Sequence, residues 1–107
     1  MTNFISTGSA YWISDEEIQI FEKNATNGDK NSAFKLYQYH MFVSLDQDSE
    51  FKWLEIAAKN GHPIAQSNLA DLFFTQGNKE KAIFWAKKAY RNDAKLPEEL
   101  KILVNIN

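Results

Sequence analysis

The chain has 107 residues, 44% of them hydrophobic and 14% aromatic, enough apolar material for one domain with a core and too much for a disordered chain. It has no cysteine, which excludes a disulfide framework, a thiolate nucleophile and a cysteine-ligated zinc. Its net charge of −2 is unevenly spread: residues 1–50 carry eight acids and three lysines, residues 51–107 six acids and nine bases. That split suits oriented docking on a charged partner and equally suits ordinary solvated helix faces.

There is no apolar run of roughly 18 residues that would span a membrane. The opening MTNFISTGSAYWIS lacks the basic region and apolar core of a secretory signal. A cytoplasmic protein with no membrane association is expected. Eleven of the twelve bases are lysine and ten residues are asparagine, usage that fits an AT-rich, bacterial coding sequence.

Residues 1–13 carry Phe4, Ile5, Tyr11, Trp12 and Ile13 without a helical period. They read as an arm that docks on the first helix or contributes to a binding surface. Ser14 and Glu17 form a capping box that opens a leading helix over 14–28, with Ile18, Phe21 and Ala25 on one face and Gly28 ending it. Asp29 or Asn31 then caps a helix from Ser32 to Val43. Phe34, Tyr37, Tyr39, Met41 and Phe42 nearly encircle it, which predicts a central helix buried on several sides. Ser44 to Asp48 is a loop, and Asp48 or Ser49 caps a helix from Glu50 to Asn60 that Gly61 terminates.

The most strongly patterned stretch is Ala65 to Ala89. Ala65, Leu69, Leu72 and Phe73 share one face of a helix that Pro63 opens; Gly77 turns the chain; Ala82, Trp85, Ala86 and Ala89 form the facing stripe. So short a link makes the two helices antiparallel neighbours. Pro97 opens a last helix, Glu98 to Val104, whose Leu100, Leu103 and Val104 give it a core face. Residues 96–107 thus form a cap at the far end.

The hairpin recurs. Ala25-Thr26-Asn27-Gly28 and Ala58-Lys59-Asn60-Gly61 stand 33 residues apart, Trp53 and Trp85 stand 32 apart, and so do Ala57 and Ala89. Such a period marks a helix-pair solenoid. Ala65 to Ala89, reading A-x-x-x-L-x-x-x-F and then G-x-x-x-x-A-x-x-W-x-x-x-A, resembles a tetratricopeptide repeat. Val43 to Gly61, with Asp46, Asp48, Trp53, Ala57, Ala58 and Gly61, is similar to the related Sel-one-like repeat. The resemblance covers about Asn24 to Asp93. It departs at Ser32 and His40, where alanine and an aromatic are usual, and in having no proline before Pro97. The expected fold is all-α, a single domain over 1–107: a short solenoid of about two and a half antiparallel helix pairs, with repeat one at 29–61, repeat two at 62–93 and the capping helix.

No catalytic constellation stands out. His40 and His62 are the only histidines and lie in no H-x-x-x-H or H-E-x-x-H pattern. Asp46-x-Asp48-x-Glu50 begins like a calcium loop but has Phe51 where the turn needs glycine and Ala57 where the loop needs glutamate. No phosphate-cradling glycine loop is present. Lys79, Lys81, Lys87, Lys88, Arg91 and Lys95 cluster at the fifth helix, but with a pI of about 5.6 nucleic-acid binding is not expected. No enzyme, no cofactor and no metal are expected.

The resemblance implies binding to a protein partner in a groove lined by the first helix of each pair. Here those positions are Ser67, Asp71, Phe74 and Thr75 and, one repeat earlier, Phe34, Gln38, Met41 and Phe42. Lacking the lysine and asparagine that hold a peptide carboxylate in that class, the groove is apolar and aromatic with one acid, unless the arm with Tyr11 and Trp12 fills it. The most concrete expectation is a small bacterial immunity or inhibitor protein that sequesters a toxin or effector, with Asp15, Glu16, Glu17, Asp46, Asp48 and Glu50 steering the encounter. A general adaptor binding peptides and a structural homo-oligomer are the alternatives, and a monomer or homodimer is expected.

Overall fold

A computed structural model describes residues 10–105. Phe4 and Ile5 of the expected arm, and the last two residues of the expected cap, lie outside the described residues. Those described are all-helical, with no strand among them. In order they form α1 (Asp15–Thr26), α2 (Lys30–Tyr39) running on into a π turn (His40–Ser44), α3 (Gln47–Lys59), α4 (Pro63–Thr75), α5 (Lys79–Arg91) and a short α6 (Glu98–Leu103).

Local chemistry fixes each start. Ser14 and Glu17 make the reciprocal capping box, Ser14 Oγ accepting from Glu17 N–H at 3.2 Å and Glu17 accepting from Ser14 N–H at 3.1 Å. Those bonds from Ser14 hold the Glu17 carboxyl below its ordinary range. Asp29, not Asn31, caps α2, and Ser32, at a position where alanine was expected, is buried and donates to Asp29 Oδ2 at 2.8 Å. Asp46, rather than Asp48 or Ser49, caps α3, so this helix starts at Gln47, three residues before the expected Glu50. Its carboxylate receives the Ser49 hydroxyl at 2.8 Å, and a left-handed Leu45 turns the chain in place of a longer loop.

Each end is equally regular. After α1, α3, α4 and α5 the chain makes the same pair of bonds. After α3, for example, Gly61 N–H donates to Ala58 O and His62 N–H to Ala57 O, and after α5 Asp93 N–H donates to Tyr90 O and Ala94 N–H to Ala89 O. Left-handed residues stand at 28, 45, 61, 77 and 93, at intervals of 17, 16, 16 and 16, and one more, Asn105, follows the short α6 after 12. The one long interval contains the π turn, which inserts a single residue into a helix. Gly61 has φ +96° with open space where a Cβ would sit, so Gly61→Ala meets backbone strain without a clash. It is expected to cost about 1 kcal/mol, read as a shift in the urea midpoint at constant slope.

Consecutive helices pack on one another in opposed directions. At one end of the stack Phe51 of α3 meets Phe73 of α4 edge-on at 6.4 Å, and Lys81 of α5 lies over that same ring at 5.2 Å. At the other end Gln66 of α4 donates to Ala58 O of α3 at 3.0 Å and accepts from Asn92 beyond α5 at 2.8 Å. One continuous core runs between these ends from Ala25 to Val104, with Leu36, Leu69 and Leu100 its largest fully buried side chains. Alanines 57, 58, 65, 70, 82, 86 and 89 lie within it and let the helix backbones approach, while Trp53 and Trp85 fill the space they leave.

The helix expected over Ser32–Val43 to be buried on several sides is not. Its first half buries Ser32, Ala33, Leu36 and Tyr37, but no residue of the π turn is buried. The widened turn swings Met41 and Phe42 to the half-exposed edge, where Tyr11 of the N-terminal arm stacks on Phe42 at 4.6 Å.

Candidate functional site

The helix directions gather one extended furrow between α2, α3 and α4. One cleft is lined by Tyr37, Glu50, Leu54, Asn68, Asp71, Leu72 and Thr75. A second, lined by Gln47, Glu50, Phe51, Leu54, Leu72 and Gln76, shares Glu50, Leu54 and Leu72 with it. The two, about 310 and 340 Å³, lie side by side along α3 and α4. Leu54 and Leu72 form an apolar floor, Glu50 and Asp71 are its acids, and no lysine or arginine lines it.

Side-chain bonds hold this surface in place. Asn68 Nδ2 donates to Tyr37 Oη at 3.3 Å, bridging α2 and α4. Burial pushes the Tyr37 phenol up, against the Asn68 bond and with help from the Glu50 charge, so it stays a neutral hydroxyl. Thr75 Oγ1 donates to the main-chain Asp71 O at 2.9 Å, and Asp71 is exposed. His40 accepts or donates at 2.7 Å to Ser44 Oγ across the π turn, and the Asp46 N–H donates to the same oxygen at 3.3 Å. Those bonds close the turn. Burial holds the imidazole below the ordinary histidine value, although Asp46, Glu22 and Glu50 oppose it.

The expected groove residues separate. Asp71 and Thr75 meet in the furrow, joined by Glu50 from the acidic steering set. Gln38 lies instead beside the arm, in a cleft with Tyr11, Trp12, Ile13, Glu17, Phe21 and Lys35. Phe42 is stacked under Tyr11, and Met41 is half-buried against the core. Phe34 stacks on His62 at 4.0 Å and so joins α2 to the start of α4. Phe74 faces the last helix, in an apolar cleft with Ile102 and Leu103. Ser67 is a correction: it is buried, donating to Lys95 O at 3.2 Å, because the segment leading to α6 closes over it. Asp15, Glu16 and Glu17 occupy the first turn of α1, and Asp48 the first turn of α3. Asp46 spends its carboxylate on its cap, so it contributes field rather than a free contact.

Tyr37, Asn68, Gln47 and Gln76 are furrow residues that sequence reasoning passed over. Tyr37 and Asn68 lie 31 residues apart, close to the repeat length, and that spacing was the available signal. Among the described residues no three histidine, cysteine, aspartate or glutamate side chains gather to hold a metal, and no helix is long and apolar enough to cross a membrane.

Fold and site together define an all-helical protein of successive helical hairpins with an acidic, amide-lined furrow on one face. The chain is 33% identical over 109 aligned positions to the Uncharacterized protein YibG of Escherichia coli (strain K12), the match taking in 92% of this chain and 71% of that protein. It belongs to the YibG family. No family model matches the chain, and no solved structure matches it.

Proposed function

We propose that the protein is a non-catalytic binding module built as a short tetratricopeptide- or Sel-one-like solenoid, and most concretely a bacterial immunity or inhibitor protein that sequesters a toxin or effector. The observation that carries the solenoid reading is the even spacing of left-handed turns from Gly28 to Asp93, at intervals of 16 and 17 residues, each following one helix. The furrow supports the binding reading. It offers an apolar floor, fixed amides and hydroxyls, and two acids with no base among its walls, which suits a partner segment carrying lysine or arginine beside an aliphatic anchor. The acids of the first turns of α1 and α3 extend that field and would raise the encounter rate at low salt. The E. coli relative is consistent with a bacterial family.

The test is co-expression of the protein with a toxin encoded beside it, followed by co-purification and a growth assay. Stoichiometric capture together with restored growth supports the reading; a protein that neither binds nor protects ends it. The adaptor reading predicts instead several peptides bound at micromolar affinity through the same furrow. The homo-oligomer reading predicts a solution mass above the 12.4 kDa of one chain.

A further inference from the structure

At the end of the stack away from Phe51 and Phe73, a second cleft of about 330 Å³ is lined by Lys59, Asn60, Gly61, Gln66, Lys88, Arg91 and Asn92. No acid lines it. Its floor is built: Gln66 is 3% exposed and held between Ala58 O and Asn92 Nδ2, so the two turns at Gly61 and Asn92 are tied at a fixed separation. Lys59, Lys88 and Arg91 border that floor, and the Lys88 ammonium also lies over the Phe84 ring, 5.3 Å from its centre. Each of the helix ends meeting here, α3 and α5, contributes about half a negative charge, and Lys59 is within 4.0 Å of Glu55. The three cations, less Glu55 and about one charge from the two helix ends together, leave a surplus of about one positive charge. Arg91 uses Nε on Lys87 O at 3.4 Å, which leaves its terminal nitrogens for a ligand. A guanidinium fork beside an ammonium matches a carboxylate. No aromatic ring lines the cleft to stack a base, and the chain is net negative, so a nucleic acid is the poorer fit.

We infer that this cleft is a second binding site, which receives carboxylates of an acidic segment on a protein partner. It lies at the opposite ends of the helices from the acidic furrow and does not depend on the reading of that surface. The protein then presents an acid-seeking edge and a base-seeking edge, and can hold two partner segments of opposite charge.

The experiment is an amide-resolved NMR titration of the full chain at low salt with hexaglutamate, inorganic phosphate and a short oligothymidylate, each alone. Saturable shifts at Asn60, Gly61 and Asn92 with hexaglutamate, weakened at least tenfold in the double variant Lys88→Glu, Arg91→Glu, are expected. A helical circular dichroism spectrum unchanged from the parent shows that the variant is folded, and Lys101→Glu, on α6 and not among the residues lining the cleft, is expected to bind as the parent does. Absence of saturable shifts at those amides, equal binding by the double variant, or tighter binding of phosphate or oligothymidylate than of hexaglutamate would each overturn the assignment.

Discussion

Leu69→Ala is expected to lower the unfolding free energy by about 3 kcal/mol, or roughly 15 °C in melting temperature for a chain of this size. Leu69 is 0% exposed and sits on α4, which packs against both α3 and α5 and reaches α6. Its neighbours are held by short turns on either side and cannot collapse into the cavity, so the loss includes the cavity as well as the transfer of the side chain. Ile102→Ala makes the matched control. At 73% exposed, Ile102 has little to lose, and a change of less than about 0.5 kcal/mol is expected. Chemical denaturation of both variants checks the pair. A loss below about 1 kcal/mol for Leu69→Ala would mean that α4 is not the packed centre described above.

Mild acid is expected to weaken the fold through His62, and Asn in its place to remove most of that dependence. His62 is the N-cap of α4: its Nδ1 accepts the Ala65 N–H at 3.3 Å, and its ring stacks on Phe34. Protonation destroys the acceptor and sets a positive charge at the positive end of a helix, near Lys30. Burial, then Lys30, hold its folded value below the ordinary 6.5. The unfolded chain therefore binds the proton more readily. The stabilisation is complete above 6.5 and is lost as the pH falls from there through the folded value. The cap is worth about 1 kcal/mol. His62→Asn keeps a side-chain acceptor that does not titrate, so the variant is expected to match the parent near neutral pH and exceed its stability near pH 5.5. His40, also held below the ordinary value by burial, contributes with the same sign. The capping carboxylates Glu17, Asp29 and Asp46 are depressed as well, but from 4.5 or lower, so their loss falls in a separate, more acidic window. Parallel pH profiles for parent and His62→Asn between pH 7.5 and 5 would refute the role given to this cap.

Most of the helical framework was legible because its signals are local. The Ser14–Glu17 box, Pro63 at the start of α4 and the glycines at 28, 61 and 77 each act within one turn of chain, and the structure places helix ends at all of them. The candidate site was legible only in part. Counting back 33 residues from α4 pairs Gln38 with Asp71, which the structure places in separate clefts, and beyond His40 the count crosses the π turn, which adds a residue. The same extra residue explains why the two Asn-Gly turns stand 33 apart while the tryptophans, which both follow it, stand 32 apart. Nor could spacing reveal that the segment before α6 folds back to bury Ser67, since that contact joins residues 28 apart through a loop without periodicity.

The π turn also bears on how this family can change length. A residue gained inside a helix is absorbed by five unburied positions, His40–Ser44, and leaves every turn and core contact on either side intact. Insertions in the turns would instead break the paired bonds that end each helix. Relatives should therefore differ in length by single residues here sooner than at Gly61 or Gly77. Ancestral and shortened chains lacking one of these residues would be expected to restore an unbroken α-helix and an even spacing of hairpins.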